Sequence, residues 1–497
     1  VNLLIRADAS AEIGTGHVMR CLALAQAWQD QGGAVTFLMA DSAPALEKRL
    51  QAEQMAVIHH PAPRGDKADS TYAIEIAQSL KTDRIVVDGY HFGATYQHTL
   101  KEAGLKVLFI DDNGHAEHYY ADWVLNQNIH AHEGLYPRRE PYTQLLLGTS
   151  YVMLRKEFWP WRGWQRQISP VAHKVLVTLG GSDPDNVTLK IMRALKQVER
   201  PNLEVIVVVG GSNLHWKVLQ AESNDSSVKF DVRCDVANMP ELMAAADVAI
   251  SGGGTSCLEL AFMGVPSILL SLAENQRANT RGLAALHQAI DLGSYQAIKW
   301  QDLENTISFL VRSQEQREKM SGAGKQIVDG GGVNDVIRNF ATGSITLKLM
   351  EEGDCQLVWQ WSNDSRNRAA SFTSNHIPWI EHFKWFTSKL KDPSCLFFMV
   401  LHADSGTPIG QVRYEISCQE ATISLSIAES FRGQGYGCPI ILQSCHALKQ
   451  RSSVRLVNAY IKPDNSASIK VFSKSGFRCV GEQEIKTQKA LRLVKKL

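Results

Sequence analysis

The sequence predicts two doubly wound α/β domains followed by a smaller α+β domain. Three observations carry this. Short β-branched runs alternate with helical patterns over residues 1–157 and again over 170–340, which is the pattern of parallel sheets covered on both faces. From residue 345 onward, strand-like runs follow one another without long helices between them. At 497 residues the chain is too long for one core. The expected domains are therefore 1–157, 170–340 and 345–497.

In the first domain the expected strands are residues 3–7, 35–39, 84–88, 107–111 and 123–126. Residues 158–164, Phe-Trp-Pro-Trp-Arg-Gly-Trp, break the pattern and read as an interdomain linker packed by aromatics. The second cycle starts at Lys174 and continues through strands at 204–209, 228–232, 248–251 and 267–270, with a helical segment over 303–320. The pattern changes near 341–344. The third domain opens with a strand at 345–350. Two helical stretches then carry Trp359, Trp361, Trp379, Trp385 and Phe386, which read as core, before strands at 396–401, 409–416 and 422–427.

Composition narrows the function classes. Hydrophobic residues make up 44% and charged residues 21%, as in ordinary globular proteins. A net charge of +1 supplies no field favouring nucleic acid. No apolar run approaches the roughly 20 residues that span a bilayer. The first residues enter a strand without a basic leader, so a cytoplasmic protein is expected. Nine cysteines, an odd number with no C-x-x-C pair, suggest reduced thiols rather than a disulfide frame or zinc site. Asp111 and Asp112 are adjacent and would point to opposite faces of a continuing strand. No metal is expected, and the oligomeric state is left open.

Two glycine-rich loops carry the chemistry. Both have the form strand, bare backbone, helix start, which suits a pyrophosphate. In the first, Ser251-Gly252-Gly253-Gly254-Thr255-Ser256, backbone N–H groups and the two hydroxyls are placed to cradle a diphosphate. Glu259, one turn into the helix, is placed to accept from both ribose hydroxyls. An N-terminal loop, Gly14-Thr15-Gly16-His17, leads into a second helix. His17 at its N-terminus is disfavoured as imidazolium by the helix dipole, so the ring is expected neutral and able to take a proton from water. Gly14 and Gly16 let the backbone approach a ligand, and Arg20 is counted with them among the substrate-binding residues.

Residues 1–340 resemble the UDP-sugar hydrolases of pseudaminic acid biosynthesis, relatives of the lipid-II-forming N-acetylglucosaminyltransferase with the GT-B fold of two Rossmann-like domains. The matching segments are Gly14–Cys21, Val87-Asp88-Gly89-Tyr90, Ile110-Asp111-Asp112, residues 151–155, Gly180-Gly181-Ser182-Asp183, residues 251–259 and Glu274-Asn275-Gln276. The resemblance implies that His17 is catalytic. It also implies that Gly253, Gly254, Thr255, Ser256 and Glu259 hold UDP, and that Tyr90 and Asn275 face the sugar. The implied reaction is hydrolysis of UDP-2,4-diacetamido-2,4,6-trideoxy-β-L-altropyranose to UDP and free sugar, with inversion and no metal. A GT-B fold also allows transfer of the sugar to an acceptor, and that alternative stays open.

The second loop, Arg432-Gly433-Gln434-Gly435-Tyr436-Gly437, follows a strand and opens a helix at 439–450. With Asn465 and the stretch to Phe477 it resembles GNAT acetyltransferases over residues 345–497. The resemblance implies that this loop and Asn465 bind the coenzyme A portion of acetyl-CoA, with the thioester against the strand near Ser426-Ile427. Residues 377–386 resemble the acetyltransferase acting just before the hydrolase, on the 4-amino group of the UDP-linked sugar. Phe472 stands where many members carry a Tyr acid. Expected substitutes are departure of the thiolate unaided or Tyr460, with Glu415 or Glu420 relaying the amine proton. A non-catalytic acetyl-CoA-binding module is the alternative.

Overall fold

The computed structural model describes residues 2–10, 13–60, 63–181, 183–198, 202–211, 213–224, 228–341, 345–403 and 405–497. Ser182 and residues 342–344, singled out above, lie outside them. The chain divides into two compact units, Val1–Ile337 and Arg338–Leu497.

The first unit holds two parallel sheets. Strands β1 (Asn2–Ala7), β2 (Ala34–Met39), β3 (Ala56–His59), β4 (Arg84–Asp88), β5 (Lys106–Ile110), β6 (Trp123–Asn126) and β7 (Gln144–Leu147) run in the order β3-β2-β1-β4-β5-β6-β7. Strands β8 (Lys174–Thr178), β9 (Glu204–Val209), β10 (Lys229–Cys234), β11 (Val248–Gly252), β12 (Ser267–Ser271) and β13 (Ala289–Ser294) run in the order β10-β9-β8-β11-β12-β13. Their centres are continuous apolar runs such as Leu3-Leu4-Ile5 and Ile85-Val86-Val87, fully buried because helices cover both faces. In each sheet the chain reverses direction between the first and fourth strands. The loops after β1 and β4, and after β8 and β11, therefore face the crevice where ligands bind in such sheets.

Three edge strands, β3, β7 and β13, were not expected. β3 and β7 are only four residues long, and β13 is interrupted by Asp291 and Gly293, so none has the length of apolar run that marks a central strand. The single helix expected over 303–320 is two, Trp300–Arg312 and Gln314–Ile327. They are broken at Ser313, whose side chain accepts the Gln316 N–H. Strand β5 ends at Ile110, so Asp111 and Asp112 lie in a turn rather than on opposite strand faces. The Asp111 carboxylate accepts the N–H groups of Asn113 and Gly114, which closes that turn.

The aromatic stretch after β7 is a 3-10 segment, Lys156–Trp161. Phe158 is fully buried beside Phe262 and beneath the Arg155 guanidinium, in the core of the second sheet. Phe158→Ala is expected to destabilise this unit by about 3–5 kcal/mol, read as an earlier denaturant midpoint.

The second unit is a mixed sheet. Its strands are β14 (Ile345–Leu349), β15 (Cys395–His402), β16 (Pro408–Ser417), β17 (Glu420–Ile427), β18 (Leu456–Ile461), β19 (Arg478–Ile485) and β20 (Gln488–Lys496), in the order β14-β15-β16-β17-β18-β20-β19. The helix Gly437–Arg451 connects parallel β17 and β18 and packs on the face of Tyr414, Ile423 and Val457. Helices Cys355–Asn363 and Trp379–Lys391 cover Phe397 and Met399 on the other face. Phe386 is core as expected, and Trp361 and Trp385 pack against it. Trp379 is 41% exposed and is not core.

Candidate functional sites

His17 is the second residue of the helix Gly16–Gln29, which starts just past the C-terminal end of β1. Parallel pairing of β1 with β4 sets Ala7 opposite Asp88, so the loop after β1 and the end of β4 meet. His17 Nδ1 lies 2.7 Å from Asp88 Oδ1. Arg20 grips the same carboxylate through Nε and Nη2, both at 2.6 Å, and Asp112 through Nη1 at 2.8 Å to each oxygen. Burial pushes the Asp88 carboxyl up, but Arg20 and His17 outweigh it and hold it well below the usual carboxylate range. With Nδ1–H donated to Asp88, Nε2 carries the lone pair. No hydrogen bond occupies Nε2 among the described residues.

His17 borders a cavity of about 370 Å³ lined by Asp8, Ile13, His17, Asp88, Gly89, Tyr90 and His91. Tyr90 stands edge-on to His17 at 5.1 Å between ring centres and donates to Asp112 at 3.0 Å. Burial, then the Asp112 charge, push the Tyr90 hydroxyl well above its ordinary pKa, so it stays protonated. Arg20 is 6% exposed, and its guanidinium is paired with two aspartates behind His17.

The second domain reaches the residues around this cavity through short polar links. Asn275 Nδ2 donates to the Tyr90 hydroxyl at 3.1 Å, and Asn279 Nδ2 to Asn128 Oδ1 at 2.6 Å. Asn128 in turn donates to Asp112 at 2.6 Å. Gly181 lies so close to Thr15 that a Cβ there would collide with the Thr15 hydroxyl.

The expected diphosphate loop is only partly open. The Gly253 N–H donates to Gln276 Oε1 at 3.1 Å, so Gln276 fills that part of the cradle. Gly254 has no side chain within hydrogen-bond reach of a Cβ position and precedes the helix Thr255–Phe262, where Thr255 and Ser256 open the first turn. Glu259 is 7% exposed and paired with Arg155 at 3.1 Å. Burial pushes its carboxyl up, with Arg155 opposing. Asp88, Asp112 and Arg155 were not singled out as site residues. The available signal was an acidic residue at the C-terminal end of a central strand, where open sheets place their ligands.

In the second unit, Gly433 and Gly435 have φ of 76° and 97°, a region that a side chain disfavours. Gly437 begins the helix, where a Cβ would lie 2.8 Å from Val471 Cγ1. Arg432 Nε donates to the Ile427 carbonyl at 2.9 Å and Nη2 pairs with Asp364 at 2.6 Å, which ties the loop to the end of β17. Gln434 donates to the Ser430 carbonyl at 2.6 Å, and Tyr436 is buried beside Phe431. Asn465 caps the helix Ser466–Lys474 by accepting the Ser468 N–H. β17 and β18 pair at Glu420–Leu456, Ala421–Val457 and Thr422–Asn458. No further pairing joins them among the described residues, so a wedge opens toward Ile427.

Phe472 is buried against Phe477 and faces the core. The expected relay through Glu415 or Glu420 is not assembled. The register sets Gly410 opposite Ile427 but Glu415 opposite Thr422 and Ser417 opposite Glu420. Glu415 is therefore displaced from Ile427 by roughly 16 Å along the strands, and Glu420 by more. Glu415 is paired with Lys389 and Arg413, and Glu420 accepts from Asn458.

Comparison with known proteins separates the two parts of the chain. Residues 175–330 match the glycosyltransferase family 28 C-terminal domain, and residues 344–478 match the acetyltransferase (GNAT) domain. One polypeptide carries both domains. An uncharacterized protein of Methanocaldococcus jannaschii is 23% identical over 96% of this chain and 97% of its own length. The spore coat polysaccharide biosynthesis protein SpsG of Bacillus subtilis is 27% identical over 66% of this chain and 94% of its own. The UDP-2,4-diacetamido-2,4,6-trideoxy-β-L-altropyranose hydrolase of Campylobacter jejuni is 25% identical over 57% of this chain and 96% of its own. No helix among the described residues is long and apolar enough to cross a membrane.

Proposed function

We propose that the chain is a bifunctional enzyme of nonulosonate sugar synthesis. The GNAT domain N-acetylates the 4-amino group of a UDP-linked amino sugar with acetyl-CoA. The first unit then hydrolyses the resulting UDP-2,4-diacetamido-2,4,6-trideoxy-β-L-altropyranose. The observation that carries the hydrolase reading is the His17–Asp88 pair at the wall of a cavity, with Nε2 of His17 left as an acceptor.

In this reading water attacks the anomeric carbon from the face opposite UDP, and His17 Nε2 takes its proton. The C1–O bond breaks with inversion, and its electron pair leaves on UDP. Asp88 holds the ring in the required tautomer and stabilises the imidazolium that forms. Arg20, itself held by Asp112, keeps Asp88 ionised and in place. The N–H groups opening the helix Thr255–Phe262, with the Thr255 and Ser256 hydroxyls, hold the diphosphate. Tyr90 and Asn275 face the sugar.

In the GNAT domain the Gly433–Gly437 turn receives the coenzyme A pyrophosphate, and the wedge between β17 and β18 receives the thioester near Ile427. With Phe472 in the core, the thiolate departs without a tyrosine acid. A thiol pKa of about 8.5 makes that departure feasible. Gly433→Ala forces a side chain into the left-handed region at about 1–2 kcal/mol. It is expected to weaken acetyl-CoA binding roughly 5- to 30-fold by titration calorimetry.

The test is a time course from the UDP-linked 4-amino sugar. With acetyl-CoA, coenzyme A release precedes a transient UDP-diacetamido sugar, then UDP and free sugar. Absence of coenzyme A release at any enzyme concentration would make the GNAT domain a binding module. Sugar release only in the presence of an acceptor would make the first unit a glycosyltransferase.

A further inference from the structure

In the hydrolytic reading, base and leaving group belong to different sheets. His17 follows β1, and the diphosphate loop follows β11. Attack with inversion needs water, C1 and the departing oxygen in line. The two sheets must therefore hold a fixed placement, since an error of about 1 Å can cost on the order of 10²-fold in rate. A buried run of side chains joins the two places. Asn279, in the helix Arg277–Ala285, donates from Nδ2 to the Gly253 carbonyl at 3.3 Å and to Asn128 Oδ1 at 2.6 Å. Asn128 lies just beyond β6. Pairing of β5 with β6 sets Ile110 opposite Leu125, which brings the turn of Asp112 beside the loop after β6. Asn128 Nδ2 donates to Asp112 Oδ1 at 2.6 Å. Arg20 Nη1 binds both oxygens of Asp112, and Nε and Nη2 hold Asp88, the partner of His17. The run is thus Gly253–Asn279–Asn128–Asp112–Arg20–Asp88–His17.

The partners fix which way each amide points. The Asp112 carboxylate and the Gly253 carbonyl only accept, so Nδ2 of Asn128 must face the first and Nδ2 of Asn279 the second. The other hydrogen on Asn128 Nδ2 goes to Asn126 Oδ1 at 2.9 Å. Asn126 is held in turn, with its Nδ2 donating to the Asp112 carbonyl at 3.0 Å and the Tyr136 hydroxyl at 2.8 Å. Asn128 therefore spends both amide hydrogens and accepts from Asn279. It is 6% exposed, and other residues line the His17 cavity. A buried polar network with its members satisfied holds one arrangement, because slippage would leave partners unpaired in a low dielectric.

We infer that Asn128 is a positioning residue for hydrolysis: paired with Asn279, it fixes the Asp112–Arg20–Asp88 support of His17 relative to the diphosphate loop. This rests on the hydrolase reading and adds how the base is aligned with the leaving group. Asn128 acts through His17 and not on the substrate. Its loss therefore leaves binding intact and matters only while the base is present.

The experiment follows UDP release from the UDP-2,4-diacetamido sugar by the full chain carrying Asn128→Ala, Asn279→Ala or both, each with His17 present and with His17→Ala. Each single substitution is expected to lower kcat about 10- to 100-fold with KM within about threefold of wild type. The pair should lose little more than either alone, because the two residues form one link. With His17→Ala, the same substitutions should change the remaining rate by less than about threefold. Near-UV circular dichroism checks folding. If Asn128→Ala does not fold, Asn279→Ala carries the test, since it breaks the run while Asn128, Arg20 and Tyr90 still hold Asp112. Wild-type kcat in folded Asn279→Ala, a loss that falls on KM, losses that multiply in the pair, or an equal loss with and without His17 would each overturn the inference. If wild type itself releases no UDP, the hydrolase reading fails first, and the assignment of Asn128 falls with it.

Discussion

Replacing His17 by alanine is expected to lower UDP release by roughly 10²- to 10⁴-fold, the usual contribution of a positioned general base. The loss should fall on kcat rather than KM, because the Nε2 lone pair is used in proton transfer and the neighbouring residues that hold the sugar remain. Coenzyme A release from acetyl-CoA and the UDP-linked 4-amino sugar should be unchanged, since every residue assigned to that step lies in the other unit. That second activity also shows that the variant chain is folded in at least one unit. Thermal denaturation followed by near-UV circular dichroism checks the first.

Asp88→Asn is the second large effect. An asparagine at this site fits the same space, but its amide nitrogen donates where a carboxylate only accepts. It can therefore stabilise the opposite tautomer of His17, with Nδ1 as acceptor and the proton on Nε2, leaving no lone pair for water. A loss in kcat of roughly 10²- to 10⁴-fold is expected, comparable with His17→Ala. The double variant should lose little more than either single one, because the two residues act as a unit. Asp88→Ala is predicted to be worse for folding. It leaves the buried Arg20 guanidinium with Asp112 alone, a change worth about 3–5 kcal/mol.

Asp88 also sets an acid limit on the first unit. Its folded pKa is depressed, because Arg20 and His17 outweigh the effect of burial. The stabilisation from its ionised form is thus complete above the unfolded carboxylate pKa of about 4. It declines as pH falls below that value toward the folded one. Asp8, held low against the effect of burial by Arg6 and the Ala40 N–H, acts in the same sense. The midpoint of thermal unfolding should therefore fall between pH 5 and pH 3 in wild type, and less steeply in Asp88→Asn.

The central strands and the two glycine loops were legible in the sequence because their signals are local. Residues 84–88 and 204–209 are apolar runs whose burial on both faces leaves one reading, and both ended where expected. The edge strands Ala56–His59 and Ala289–Ser294 were not legible, since the first is only four residues long and the second is interrupted by Asp291 and Gly293. His17 could be found from its place after two glycines at a helix start. Its partner Asp88 is 71 residues away, and only the parallel pairing of β1 with β4 brings the two together. The partners of Arg20 and Gly253 were hidden for a related reason: Asp112 and Gln276, which engage them, lie 92 and 23 residues away.

The account turns on water attacking the anomeric carbon with His17 as its base. Hydrolysis of the UDP-2,4-diacetamido sugar by the full chain in ¹⁸O-enriched water, followed at once by NMR and mass spectrometry, tests this most directly. The predicted result is ¹⁸O at C1 of the released sugar, none in UDP, and an anomer inverted relative to the substrate. Label in the UDP phosphate, or a sugar first released with retained configuration, would contradict it.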